Sequence, residues 1–176
     1  RSPHAHAQIT ALDVSHAEAH PDVFAVATYQ DFPSVNAEAL AAGTARKDLV
    51  DTAANVLADT KVLYHGHAIA AVAARTEAAA EAALDLITVA YDVMDPVLTI
   101  DAAIKDGAPV LHDDMMTQGL AEPASVASNI AARMELKKGD VAVGFADADV
   151  IVERAYETPT VHQGYIEPHA TTVRFD

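Results

Sequence analysis

The feature that most constrains the fold is a strand–helix–strand pattern in the middle of the chain. The apolar run Ala68–Ala74 predicts a buried strand, and Ile87–Val93 alternates apolar and polar residues as a half-buried strand does. Between them, Thr76 is placed to cap a helix over Glu77–Leu86, whose alanine-rich stripe allows close packing on a sheet. This order predicts a βαβ-like or split unit.

The flanking patterns predict more strands than helices. The predicted strands are Ala5–Val14, Val23–Thr28, Val62–Tyr64, Asn129–Lys137, Val150–Thr158 and His169–Phe175, and the predicted helical segments are Ser15–Ala19, Leu49–Leu57, Asp101–Lys105 and a turn from Gly139 to Ala146. The run Val23–Thr28 is apolar enough to predict burial on both faces. Together these elements predict an α+β fold with a mixed sheet rather than a parallel doubly wound one.

Composition excludes several classes of function. The 176 residues contain no cysteine, so these residues offer no disulfide, thiolate zinc site, iron–sulfur ligand or cysteine nucleophile. A net charge of −15, with only 11 lysines and arginines, argues against nucleic acid or an anionic membrane as a partner. No apolar run is long enough to cross a bilayer, and we expect a cytoplasmic protein. Because the chain starts at Arg1 and stops within a strand-like run, we expect a piece of a longer protein.

Histidines suggest a metal site, with a simpler alternative beside it. His4 and His6 lie two residues apart on an extended segment, and His65 and His67 flank Gly66. Two such pairs have the ligand chemistry of a metal site. No His-x-x-x-His helix or paired carboxylates accompany them, which favours hydrogen-bonded or surface histidines.

Other catalytic motifs are missing or weak. The sequence has no nucleophile elbow, Walker loop or dinucleotide-binding fingerprint, and Gly139–Gly144 is typical of a turn into a helix. The Glu167-Pro168-His169 turn holds a carboxylate beside an imidazole. We interpret Glu167 as a hydrogen-bonding turn residue rather than a catalytic group.

Several motifs, in order along the chain, resemble the large subunits of molybdenum hydroxylases, the xanthine dehydrogenase and aldehyde oxidase family. The N-terminal run Arg1–Ile9 (RSPHAHAQI) is similar to a run near the start of those subunits. The other matching segments are Val23–Val26, Asp31–Pro33, Val62–Gly66, Ala70–Ala74, Ile87–Tyr91, Gly139-Asp140, Phe145–Asp149, Val152-Glu153 and Gln163–Ala170. The chain departs from the family at His67-Ala68, usually Gln-Pro, and at Pro21-Asp22, usually Pro-Gly. These departures affect the subfamily rather than membership.

The resemblance implies an α/β-hammerhead domain over residues 1–110, a linker over 111–128, and the truncated start of a molybdopterin-binding domain over 129–176. It implies an oxidoreductase that hydroxylates aldehydes, N-heterocycles or related substrates with oxygen derived from water. The implied cofactor is molybdenum–molybdopterin, with iron–sulfur clusters and in many members FAD on other domains or subunits. The implied partners are those domains or subunits and the remainder of the molybdopterin-binding subunit.

Few site residues follow from the resemblance, because the family's glycine-rich pterin segments and catalytic glutamate lie beyond residue 176. No catalytic or metal-binding residue is therefore assigned, and the chain alone is expected to be inactive. Only Gln163 is implied to lie near the molybdenum cofactor. Two alternatives stay open: a homodimer through an exposed strand edge, and a free-standing small-ligand or metal module that uses the four paired histidines.

Overall fold

The computed structural model describes residues 1–32 and 47–159, together with residues 161, 164, 166, 167, 170–172 and 174. The chain divides into two compact units, Arg1–Met134 and Glu135–Asp176. Within the described residues, no helix is both long enough and apolar enough to cross a membrane.

Short strands and helices alternate in the Arg1–Met134 unit. They are β1 (Ala7–Asp13), α1 (Ser15–Glu18), β2 (Val23–Thr28), a 3-10 turn (Tyr29–Asp31), α2 (Lys47–Val56), β3 (Lys61–Val62), β4 (Ala70–Ala74), α3 (Glu77–Leu84), β5 (Thr88–Val93) and α4 (Ile100–Ile104). The predicted helix cap at Thr76 is confirmed, since its hydroxyl accepts from the Ala79 N–H at 3.2 Å. Helix α4 is capped by Thr99, whose hydroxyl accepts from the Ala102 N–H.

Two antiparallel sheets organise this unit. Strand β1 is central in the order β3-β1-β5, and Ala7 lies opposite both Val62 and Val93. Strand β2 pairs with β4, with Val26 opposite Val72. The predicted strand–helix–strand elements are present, but β4 and β5 belong to different sheets, so a βαβ unit was the wrong prediction. Helix α3 packs on the β2–β4 pair, and the chain then leaves that sheet to pair with β1.

The core lies where β1, β3 and β5 meet the start of β4. Its buried members are Ala7, Ala58, Val62 and Ile69, with Ile9, Leu12, Val89 and Tyr91 packed against them. Burial of these apolar groups is the main stabilising contribution. The predicted burial of β2 on both faces was wrong, because Phe24 is 68% exposed. The Arg75 guanidinium lies 5.6 Å from the centroid of the Phe24 ring and forms an ion pair with Asp22 at 3.1 Å.

In the Glu135–Asp176 unit, the glycine-rich segment does form a turn into a helix, α5 (Val141–Ala146), as predicted. The Asp140 carboxylate caps it by accepting from the Val143 N–H at 3.1 Å. The strand predicted over 150–158 does not form, because no described residue pairs with it; a strand needs a hydrogen-bonding neighbour. The predicted strand over 129–137 is reduced to a single bridge between Gln118 and Ala132. The strand predicted over His169–Phe175 includes residues outside the described part.

Candidate functional site

The fold brings the N-terminal motif against the turn that carries the second histidine pair. The Ser2 N–H donates to the His67 carbonyl at 2.8 Å, and the Gly66 N–H donates to the Ser2 carbonyl at 2.9 Å. The Arg1 guanidinium reaches the Gly66 carbonyl at 3.0 Å. Gly66 has φ +83°, a conformation that favours glycine. The two sequence motifs therefore form one backbone-paired structure.

His67 is a buried structural histidine. Its Nε2–H donates to the Ala54 carbonyl at 2.9 Å, and its Nδ1 accepts from the Leu63 N–H at 3.3 Å. These two bonds fix the neutral tautomer, because a proton on Nδ1 would face another donor. Burial lowers the pKa of His67, and the bonds to the backbone oppose that effect only in part. The Tyr64 ring stacks on the imidazole at 4.3 Å.

The other paired histidines do not converge on a common point. His6 is buried, with Nδ1 2.8 Å from the Asp95 carbonyl and, among the described residues, no hydrogen-bond partner on Nε2. His4 meets the edge of the Tyr91 ring at 5.0 Å, and His65 is exposed. Across the described ranges, no group of three or more histidine, aspartate or glutamate side chains is arranged to hold a metal ion. His4, His6 and His67 make packing contacts or hydrogen bonds to the backbone, as structural histidines do.

A cavity of about 800 Å³ lies in the Arg1–Met134 unit, a feature that the sequence did not indicate. Its described lining is Asn55, His112, Asp114, Met115, Met116, Thr117, Gln118, Gly119, Leu120, Ala121, Pro123, Ala124 and Ala131. These residues include no lysine or arginine, so the lining is poorly suited to an anion. The sequence signals there, Gly119 and Pro123, predict only turns.

The cofactor-side prediction, Gln163, lies outside the described residues. Glu167 is described and exposed, and so is every other described residue of 135–176. Exposed side chains do not form a dry, enclosed cradle of the kind that holds an organic cofactor. The described residues therefore do not by themselves fit a bound pterin.

Comparison with known proteins identifies the family. Residues 1–95 match the family model described as aldehyde oxidase and xanthine dehydrogenase, a/b hammerhead domain. The chain belongs to the aldehyde oxidase and xanthine dehydrogenase family. Residues 122–176 match a second model, the molybdopterin cofactor-binding domain. The family assignment made from the ordered motifs is thereby confirmed, as is the α+β hammerhead fold.

Individual family members extend the match over the whole chain. A probable hypoxanthine oxidase of Escherichia coli K12 is 35% identical over 100% of this chain and 21% of its own length. The nicotinate dehydrogenase large molybdopterin subunit of Eubacterium barkeri is 32% identical over 100% of this chain and 36% of its own. The solved structure of reconstituted CO dehydrogenase from Oligotropha carboxidovorans matches with a TM-score of 0.58 and 30% identity, over 85% of this chain and 18% of that one. The chain thus spans 21% and 36% of the length of the two curated relatives.

Proposed function

We propose that this chain is the N-terminal scaffold of a molybdenum hydroxylase large subunit, an oxidoreductase that hydroxylates aldehydes, N-heterocycles or related substrates with water-derived oxygen. The observation that carries the proposal is the order of two family matches in one chain. A hammerhead domain over 1–95 is followed by a molybdopterin cofactor-binding domain that begins at 122. Of the divisions proposed from the sequence, the one at residue 110 falls between the two matches and the one at residue 128 falls inside the second match, near its start.

The apolar surface of the chain supports a scaffold role. Large apolar side chains are exposed in both units, including Leu98 at 74%, Ile100 at 80% and Tyr156 at 90%. Exposed large apolar side chains of this kind are what docking against another part of the subunit would bury. The proposed partners are the remainder of the molybdopterin-binding subunit and iron–sulfur and FAD domains or subunits. We also propose a homodimer and a cytoplasmic location.

In this proposal, the residues that carry out the reaction lie outside the described part of this chain. The cofactor would be molybdenum–molybdopterin, which supplies the redox chemistry, and Gln163 is the residue of this chain proposed to approach it. No described side chain is placed as an acid, a base or a metal ligand. The chain's own contribution is to hold the start of the cofactor-binding domain in place.

The free-standing metal module is the weaker candidate. Both ring nitrogens of His67, and Nδ1 of His6, already bond to backbone groups. A metal on His67 would have to break buried bonds, which costs about 1–3 kcal/mol for each group left unpaired. His6 Nε2 could bind a metal without that cost, but no group of three or more possible ligands comes together among the described residues. His4 and His65 are left with no third ligand among the described residues.

Sequencing the reading frame beyond codon 176 tests the proposal. The scaffold proposal expects glycine-rich pterin-binding segments and a glutamate base to follow in frame. A stop codon directly after Asp176 in the native gene would contradict it. The matched test of the alternative compares metal content of the purified chain with that of a variant in which His4, His6, His65 and His67 are alanine; metal present in the first and lost in the second would favour the metal module.

A further inference from the structure

The junction between the two family matches shows a feature that neither match assigns. The cofactor-binding match begins at residue 122, whereas the first compact unit continues to Met134. Residues 122–134, which we call the overlap segment, therefore belong to the cofactor-binding domain by sequence and to the hammerhead unit by packing. The contacts that hold this segment are specific side-chain hydrogen bonds.

Asn129 joins three separate backbone groups. Its Nδ2 donates to the Ala103 carbonyl at 3.2 Å and to the Pro109 carbonyl at 2.9 Å. Its Oδ1 accepts from the Leu111 N–H at 2.9 Å. Both amide hydrogens and the amide oxygen are thus used, an arrangement that no other side chain of similar size reproduces. The overlap segment is tied to the end of α4 and to the chain that follows it.

Lys61 ties that following chain to the central sheet. Its ammonium contacts the carbonyls of Val110 at 3.5 Å and Leu111 at 3.2 Å, and it pairs with Asp113 at 2.8 Å. The Lys61 side chain is only 12% exposed, so its charge depends on these acceptors. Lys61 lies opposite Gln8 of β1, within the N-terminal motif.

An arch of backbone bonds completes the attachment. The Gln118 N–H donates to the Ala131 carbonyl at 2.9 Å, the Arg133 N–H to the Gln118 carbonyl at 2.8 Å, and the Ser128 N–H to the Met115 carbonyl at 3.0 Å. The Thr117 hydroxyl donates to the Ile130 carbonyl at 2.7 Å. These bonds pair residues 115–118 of the predicted linker with residues 128–133.

We infer that Lys61 and Asn129 are positioning residues that build the first residues of the cofactor-binding domain into the hammerhead unit. Within Arg1–Met134, the residues where the cofactor-binding match begins are held by these contacts. We call the contacts of Lys61 and Asn129 the clamp. The clamp lies inside Arg1–Met134 and does not depend on which reaction the native protein performs. It extends the scaffold role to two named side chains that no motif or family description singles out.

Native-state hydrogen exchange on the 176-residue chain tests the clamp. Asn129→Asp removes both donors and places a carboxylate beside two carbonyl oxygens. We expect the Gln118, Ser128 and Arg133 amides to exchange about tenfold faster, because their bonds then open locally. The core amides of Ile9 and Ala58, which donate to Thr60 and Ala68, are expected to keep their rates.

Matched variants separate positioning from general damage. Gln30→Glu makes the same amide-to-carboxylate change at an exposed residue of the 3-10 turn and is expected to leave the overlap segment unchanged. Lys61→Met is expected to speed exchange at Leu111 about tenfold, and Lys61→Arg to restore it, because arginine keeps the charge and the donors. Unchanged exchange in Asn129→Asp, or equal loosening of core and segment, would overturn the inference. Either result leaves the reading-frame test of the proposed function untouched.

Discussion

Replacement of His67 tests whether the buried histidines are structural. His67→Leu introduces an apolar side chain and leaves the Ala54 carbonyl and the Leu63 N–H without their partner. Each buried backbone group left unpaired costs about 1–3 kcal/mol, so the free energy of unfolding is expected to fall by about 3 kcal/mol at neutral pH. His67→Gln keeps a donor at the Nε2 position and is expected to lose only about 1 kcal/mol.

The pH dependence of the free energy of unfolding tests the role of His67 more specifically. Burial lowers the pKa of His67 below its ordinary value of 6.5, so the unfolded chain binds the proton more readily than the folded one. The stability that His67 contributes is therefore fully present above about pH 6.5 and falls as the pH drops toward the folded pKa. The slope is at most about 1.4 kcal/mol per pH unit.

Urea unfolding followed by far-UV circular dichroism, at several values between about pH 7.5 and pH 5, measures this difference. The gap between the wild type and His67→Leu is expected to narrow on acidification. A gap that stays constant, or widens, would refute the assigned tautomer and the structural role. Equal losses in the leucine and glutamine variants would show that the Nε2 bond to Ala54 contributes little.

Three further predictions concern the same fold. His6→Asn keeps a donor at the Nδ1 position. We therefore expect its free energy of unfolding in urea to exceed that of His6→Gln by about 1 kcal/mol. Gly119 has φ +74°, and a Cβ there would collide with the Arg133 carbonyl, so Gly119→Ala is expected to lower the free energy of unfolding by about 3 kcal/mol. Gly107 has φ +78° and open space around it, so Gly107→Ala is expected to lower it by only about 1 kcal/mol. Equal shifts in the melting temperature of the two variants would contradict this. Burial raises the pKa of Asp59, so Asp59→Asn is expected to stabilise the chain at about pH 7 and to give no gain near pH 3 in the same urea assay.

Local chemistry made parts of the fold predictable. The Thr76 cap, the alternation of 88–93 and the turn into a helix after Gly139 each depend on residues close together in sequence, and the structure has all three where the sequence placed them. Strand pairing is not local. The sequence of Ala70–Ala74 does not indicate whether this strand pairs with β2 or with β5. The prediction therefore missed the division of the strands into two sheets.

The candidate site was less predictable for the same reason. The histidine pairs were visible as residue types, but their roles depend on the carbonyls of Ala54 and Asp95, distant in sequence. Asn129 looked like the first residue of a strand, and its three bonds reach back as far as Ala103. The family assignment succeeded from sequence because it used ordered motifs and required no knowledge of contacts.

We propose that these residues support a reactive centre without holding one. Elemental analysis can be applied both to the native protein that contains the chain and to the 176-residue chain purified alone. We expect about one molybdenum per native subunit, with pterin released on denaturation, and no stoichiometric metal in the isolated chain. A native protein free of molybdenum, or an isolated chain that retains a transition metal through its histidines, would contradict it.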